Sequence, residues 1–147
     1  MKEIIAIVAV CLAAYANSLD NGFHYDDEHS IQRNIHIRDL GNIPLFFKDP
    51  STFSVDHDKG MFRPLLLVTY ALNYTWGGYE VFGYHLVNLA LHAASACLVM
   101  WLARLFGGGG GWALGAGLLF AVHPVCSEPV NYISSRSESL AGLCYLA

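Results

Sequence analysis

Three consecutive acids, Asp26, Asp27 and Glu28, stand between His24 and His29 in the stretch FHYDDEHSIQRN, Phe23 to Asn34. Side by side at neutral pH they repel one another, so a fold keeps them together only with cations nearby, with solvent, or with a shifted pKa on one of them. One such acid is suited to act as a general base. His24 and His29 titrate near neutrality and also ligate metals, so with Asp26 and Asp27 they form a mixed nitrogen and oxygen donor set for a divalent cation. The bland reading of the same run is a solvated loop, which is what runs of acids most often are.

The elements that must position this stretch are apolar. Only 14% of the residues are charged, 54% are hydrophobic and the mean hydropathy is +0.39, which together point to an all-α polytopic membrane protein. Charge is concentrated in one place: eight acids and five bases lie between Asp20 and Arg63, against four acids and three bases in all the rest. That segment reads as a single large polar loop. Cys11, Cys97, Cys126 and Cys144 show no CxxC spacing, and three of them sit in apolar runs, which excludes a zinc ribbon and a disulfide framework. A net charge of -4 with no basic cluster argues against a nucleic-acid partner.

In chain order, a first span is expected over residues 4–20. It is either a retained transmembrane helix or a signal peptide, since Ala14-Tyr15-Ala16 matches a small-x-small cleavage pattern. Retention is the simpler account, because further long apolar segments keep the chain in the membrane in any case. The outer loop 20–63 follows, with turns at Asn21-Gly22, Leu40-Gly41-Asn42 and Asp49-Pro50. Its short amphipathic pieces, carrying Ile31, Ile35, Ile37, Leu45, Phe46 and Phe47, are expected along the membrane surface. Residues 64–76 make an apolar helix too short to cross, expected to be interfacial, and its sequon Asn73-Tyr74-Thr75 is expected to be idle. A second span covers 81–105, with His85, Asn88 and His92 as a polar stripe on one face, read first as hydrogen bonding within a bundle. After the glycine run Gly107 to Gly111, a third span covers 112–124 and is broken at His123-Pro124. A fourth begins over 138–147 and stops without a flank, so the chain reads as the N-terminal part of a longer protein.

Lys2 and Arg104 mark the cytoplasmic side by the positive-inside bias. His123, Glu128 and Arg136 then emerge on the side of Asp26, Asp27 and Arg63, provided that residues 65–76 do not cross. Acids, histidines and two arginines at one membrane face are the parts needed to bind a phosphate-bearing lipid and run acid-base chemistry on it.

The segments YANSLDNGFHYDDEHSIQRN, FRPLLLVTYALNY, GYHLVNLALH and FAVHPVCSEPVNYISSRSESLAGL run through essentially the whole chain. In order and spacing they closely resemble the N-terminal region of the transmembrane and tetratricopeptide repeat-containing protein O-mannosyltransferases and their bacterial relatives, members of the C-type glycosyltransferase superfamily. The resemblance implies the N-terminal part of that fold, with a first outer loop of short helices, in the bacterial inner membrane or the endoplasmic reticulum membrane. It implies transfer of a sugar, mannose in the animal members, from a polyprenyl or dolichyl phosphate carrier to an acceptor protein hydroxyl on the lumenal or periplasmic side. The acid pair of the first loop falls on Asp26 and Asp27, with Asp26 the first choice as general base for an inverting displacement. Arg63 and Arg136 would offset charge on the donor phosphate. His123 and Glu128 fall on the HP-x-x-x-E element and, with His85, are assigned to the site without a fixed role. The partners are thus a lipid-linked sugar donor, an acceptor protein and membrane lipid.

Two other readings stand beside this one. A membrane scaffold without catalysis would need none of these groups, and a metal-dependent membrane hydrolase would use His24, Asp26, Asp27 and His29 as ligands. No cofactor follows from the sequence beyond the room that set leaves for a divalent cation.

Overall fold

A computed structural model of the chain describes residues 1–107 and 109–147, His57 by its backbone alone. Gly108, inside the glycine run, lies outside the described residues. Seven α-helices follow one another among the described residues: α1 Lys2–Tyr15, α2 Ile43–Phe46, α3 Pro64–Gly77, α4 Val81–Leu105, α5 Gly110–Ala121, α6 Ser127–Asn131 and α7 Arg136–Leu146. Short 3-10 turns and one π turn connect them, and no strand occurs among the described residues. Among the described residues the fold is all-α, with helices long and apolar enough to cross a membrane. It divides into two compact units, Gly22–Tyr84 and a second made of Met1–Asn21 with His85–Ala147.

Within Gly22–Tyr84 the polar loop folds onto α3. Pro64 supplies the preset φ and dispensable N–H that suit a first helical position, and it pushes Arg63 out of helical geometry at φ -131°, ψ 61°. Leu66, Leu67, Tyr70, Ala71 and Asn73 recur at helical spacing and are all buried. The 3-10 turn His36–Arg38 and α2 pack against this helix. Gly78 ends it in a left-handed conformation, φ 59°, with its N–H on the Tyr74 carbonyl at 2.7 Å.

This packing corrects one expectation. Ile31, Ile37 and Phe46 do not lie along a membrane surface but are buried inside the unit, at no more than 1% exposure, while Ile35, Leu45 and Phe47 remain exposed. Each buried side chain contributes about 1.5–3 kcal/mol relative to exposure to water. Asn34 clamps the closure, its amide donating to the carbonyls of Ser30 at 3.1 Å, Thr52 at 3.0 Å and Phe53 at 3.1 Å. Further along, Asp49 starts the turn Pro50–Phe53 by accepting from the Ser51 N–H at 2.9 Å, and hydrogen bonds from Ser51 hold its carboxyl below the ordinary value. Asn73, the sequon residue, is buried with its amide on the Gly83 carbonyl at 3.0 Å. Treatment with an endoglycosidase is expected to leave the electrophoretic mobility of this segment unchanged, and a downward shift abolished by Asn73→Gln would contradict the burial.

In the second unit, α1 with its 3-10 extension to Asp20 and the 25-residue α4 are long and apolar enough to cross a membrane. At 1.5 Å per residue α4 measures roughly 37 Å, against a hydrocarbon core of about 30 Å. The expected span at 112–124 takes a different form. Alone, α5 is 12 residues long and too short to cross; it passes only when taken with Pro124–Asn131, across a bend of 49°. Pro124, lacking an N–H, cannot continue the α5 ladder and starts a new turn instead.

The helices of this unit meet at Gly117. A Cβ there would stand 2.9 Å from Ile7 Cδ1 and from Met100 Cβ and 3.0 Å from the Ala96 carbonyl, so α1 and α4 both approach the α5 backbone as only glycine permits. Ile7, Cys11, Tyr15, Leu89, Ala96, Met100, Ala113 and Ala121 form the core around it. Gly117→Ala is therefore expected to cost about 1–3 kcal/mol, read as a lower unfolding temperature in detergent, because neither Met100 Cβ nor a carbonyl can swing away. An unchanged unfolding temperature would show that the three helices are not in contact there. Glu3 and Arg104 form an ion pair that brings the start of α1 to the end of α4. Exposed Trp101, Phe106 and Trp112 cluster in sequence about this end, where an interfacial aromatic belt is favourable.

Candidate active site

The acid run lies in the Gly22–Tyr84 unit and is built by local turns. Tyr25 takes a left-handed backbone, φ 46°, which in a residue other than glycine costs of order 1 kcal/mol or more. Around it His24 and Asp27 bond reciprocally: the Asp27 N–H donates to the His24 carbonyl at 3.0 Å, and the His24 N–H to Asp27 Oδ2 at 3.0 Å. A π turn over Glu28–Gln32 follows, closed by the Arg33 N–H on the Glu28 carbonyl at 2.8 Å.

These turns separate the three carboxylates. Asp27 is wholly buried, and its Oδ2 accepts the His24 N–H. Glu28 turns to Arg33, 3.8 Å away, which also lies 3.7 Å from Asp56. Asp26 keeps its side chain 54% exposed and stands 3.3 Å, through Oδ1, from Nε2 of the buried His29. Repulsion is relieved because each acid has a different neighbour.

His29 is bonded at its other nitrogen to Ser54 Oγ, 3.0 Å away, and Ser54 Oγ accepts the Asp56 N–H at 2.9 Å. Phe53, next to Ser54, lies with its ring 6.3 Å from that of His29 and carries the Arg63 guanidinium 5.9 Å above it. Asp26, His29 and Arg63 are thus linked within one unit through Phe53 and Ser54. Arg63 is exposed just before the start of α3.

The proposed metal ligands do not assemble. Asp27 faces the His24 backbone, Asp26 faces His29, and the His24 ring lies beside Tyr25, 6.5 Å between centroids. Among the described residues no three His, Cys, Asp or Glu side chains gather as a metal site would require.

The remaining candidates belong to the second unit. The polar stripe of α4 is tied down by backbone carbonyls: His85 Nε2–H donates to Asn21 at 3.0 Å and His92 Nε2–H to Ala121, the end of α5, at 3.0 Å. Asn88 donates to the carbonyls of Pro129 at 3.3 Å and Tyr132 at 3.2 Å, and its Oδ1 accepts Arg136 Nε–H at 2.7 Å. Arg136 is completely buried. His123 is exposed and caps the turn after α5, its Nδ1 accepting the Val125 N–H at 3.3 Å. Glu128 is exposed in the first turn of α6.

Comparison with known proteins sets this geometry in a family. Protein O-mannosyl-transferase tmtc2 of Xenopus laevis is 39% identical over 145 residues, 94% of this chain. Protein O-mannosyl-transferase Tmtc1 of Drosophila melanogaster is 38% identical over 143 residues, again 94% of the chain. TMTC3 of Homo sapiens, also a protein O-mannosyl-transferase, is 33% identical over 150 residues and covers 100% of it. The chain belongs to the TMTC family. It spans 17%, 16% and 16% of the length of those three relatives. No family model matches the chain, and no solved structure does.

In this TMTC chain the residues missed by reasoning on sequence are those that hold the candidate groups in place. Ser54 lies 25 positions after His29 and Asn88 48 before Arg136. Ser54 gave no signal, whereas Asn88 was visible as a member of the α4 stripe. Asn34 closed the acidic stretch as its last residue, yet nothing in the sequence showed that its amide would reach three carbonyls.

Proposed function

We propose that this chain carries the base-bearing loop of a membrane O-mannosyltransferase. The reading moves mannose from a polyprenyl or dolichyl phosphate to a serine or threonine hydroxyl of an acceptor protein. The acceptor oxygen attacks the anomeric carbon as the bond from that carbon to the phosphate oxygen breaks, inverting the configuration. The hydroxyl proton passes to Asp26, and the lipid phosphate departs with the electron pair of the broken bond. Arg63, exposed over Phe53, meets the charge growing on that phosphate.

The observation that carries the reading is the contrast among the acids. Of the two aspartates, Asp27 is wholly buried, while Asp26 presents a half-exposed carboxylate to the surface. A base has to reach its proton, within hydrogen-bond distance, and only an accessible acid can do so. Membranes holding the whole gene product are expected to transfer labelled mannose from dolichyl phosphate mannose to an acceptor protein. Transfer from a nucleotide sugar with no lipid intermediate would overturn the donor assignment.

A further inference from the structure

We propose that His29, its tautomer set by Ser54, is a positioning residue for Asp26. The proposal rests on the reading of Asp26 as the base. A carboxylate only accepts, so the contact of 3.3 Å to Asp26 Oδ1 uses His29 Nε2 as an N–H donor. In the neutral ring Nδ1 is then an acceptor, and Ser54 Oγ lies 3.0 Å from it. Ser54 Oγ already accepts the Asp56 N–H at 2.9 Å, which directs its own hydrogen to His29 Nδ1. The orientation is consistent from end to end: Asp56 N–H to Ser54, Ser54 O–H to His29, His29 N–H to Asp26.

Burial makes this chain of bonds a fixture. His29 and Ser54 are 3% and 6% exposed, and the Phe53 ring flanks the imidazole. Asp26, by contrast, is half exposed, and the His29 contact restricts the rotamers open to it. Fixing Oδ1 leaves the carboxylate one orientation, and with it one place for Oδ2 to meet the acceptor hydroxyl. Misplacement of a catalytic group by an ångström lowers turnover without touching donor affinity. Ser54 comes from the turn after Pro50, so the far half of the loop governs the geometry of the base.

The test measures kcat and the KM for dolichyl phosphate mannose in the whole gene product. His29→Phe keeps a planar ring beside Phe53 and removes both ring nitrogens; kcat is expected to fall roughly ten- to a hundredfold with KM little changed. His29→Gln can place an amide N–H near the position of Nε2 and is expected to recover most of that loss. Ser54→Ala, which frees the tautomer, is expected to lie between the two. In an Asp26→Asn background His29→Phe is expected to add almost nothing, because a residue acting through Asp26 has nothing left to act on. Full additivity of the two substitutions, or His29→Gln as poor as His29→Phe, would overturn the proposal. If His29→Phe fails to accumulate, the same cycle run with Ser54→Ala decides by the same criterion. A loss in Asp26→Asn with none in His29→Phe would sink the positioning role alone, whereas silence in Asp26→Asn would sink the base itself.

Discussion

Asp26→Asn is expected to lower mannose transfer by about 10²–10⁴-fold, the range of a lost general base, with protein level and donor binding unchanged. The substitution keeps size and one oxygen acceptor, so the His29 N–H retains its partner and the turn is preserved. Only the basic carboxylate is removed. Asp27→Asn is expected to behave differently. Asp27 is buried with Oδ2 on the His24 N–H, and an asparagine there can turn an NH2 donor toward that N–H, so the turn and the amount of folded protein should suffer before the chemistry does. Transfer assays paired with quantified membrane levels separate the two outcomes. Near-normal transfer by Asp26→Asn at normal protein level, with a large loss in a well-folded Asp27→Asn, would exchange the two roles.

The helices were legible in the sequence because apolar runs, Pro64 and the His123-Pro124 break are local signals. The division of labour among the acids was not. Spacing alone places Asp26, Asp27 and Glu28 as equals, and what distinguishes them is a left-handed Tyr25 and a π turn. Such turns are stabilised by bonds to distant parts of the chain, here Asn34 on Thr52 and Phe53 and Ser54 on His29. A metal site over His24, Asp26, Asp27 and His29 was a fair reading of donor types, yet proximity in sequence does not make side chains converge. The α4 stripe was more readable: positions three and four apart share a helix face, and His85, Asn88 and His92 do bond to neighbouring backbone as a bundle needs.

The two arginines expected at the donor phosphate are expected to respond differently to removal. Arg63 is exposed, with a contact over Phe53 worth about 0.5–1 kcal/mol, so Arg63→Ala should disturb folding less than Arg136→Ala and raise the KM for the lipid donor. Arg136 is wholly buried and donates to Asn88, which in turn gathers the carbonyls of Pro129 and Tyr132. Burial gives Arg136 a folding role before any ligand arrives, since its side chain fills space between α4 and the start of α7. Arg136→Ala deletes that volume and leaves Asn88 Oδ1 without the donor it now has, a loss of about 2–5 kcal/mol as for other large buried side chains cut to alanine. Asn88→Ala removes the acceptor of a charged donor, worth about 1.5–3 kcal/mol. Unfolding temperature in detergent, measured beside donor affinity, distinguishes brace from ligand. A normal unfolding temperature with weakened donor binding in Arg136→Ala would make Arg136 a phosphate ligand like Arg63; the reverse pattern would make it the pin that fixes the α7 segment to α4.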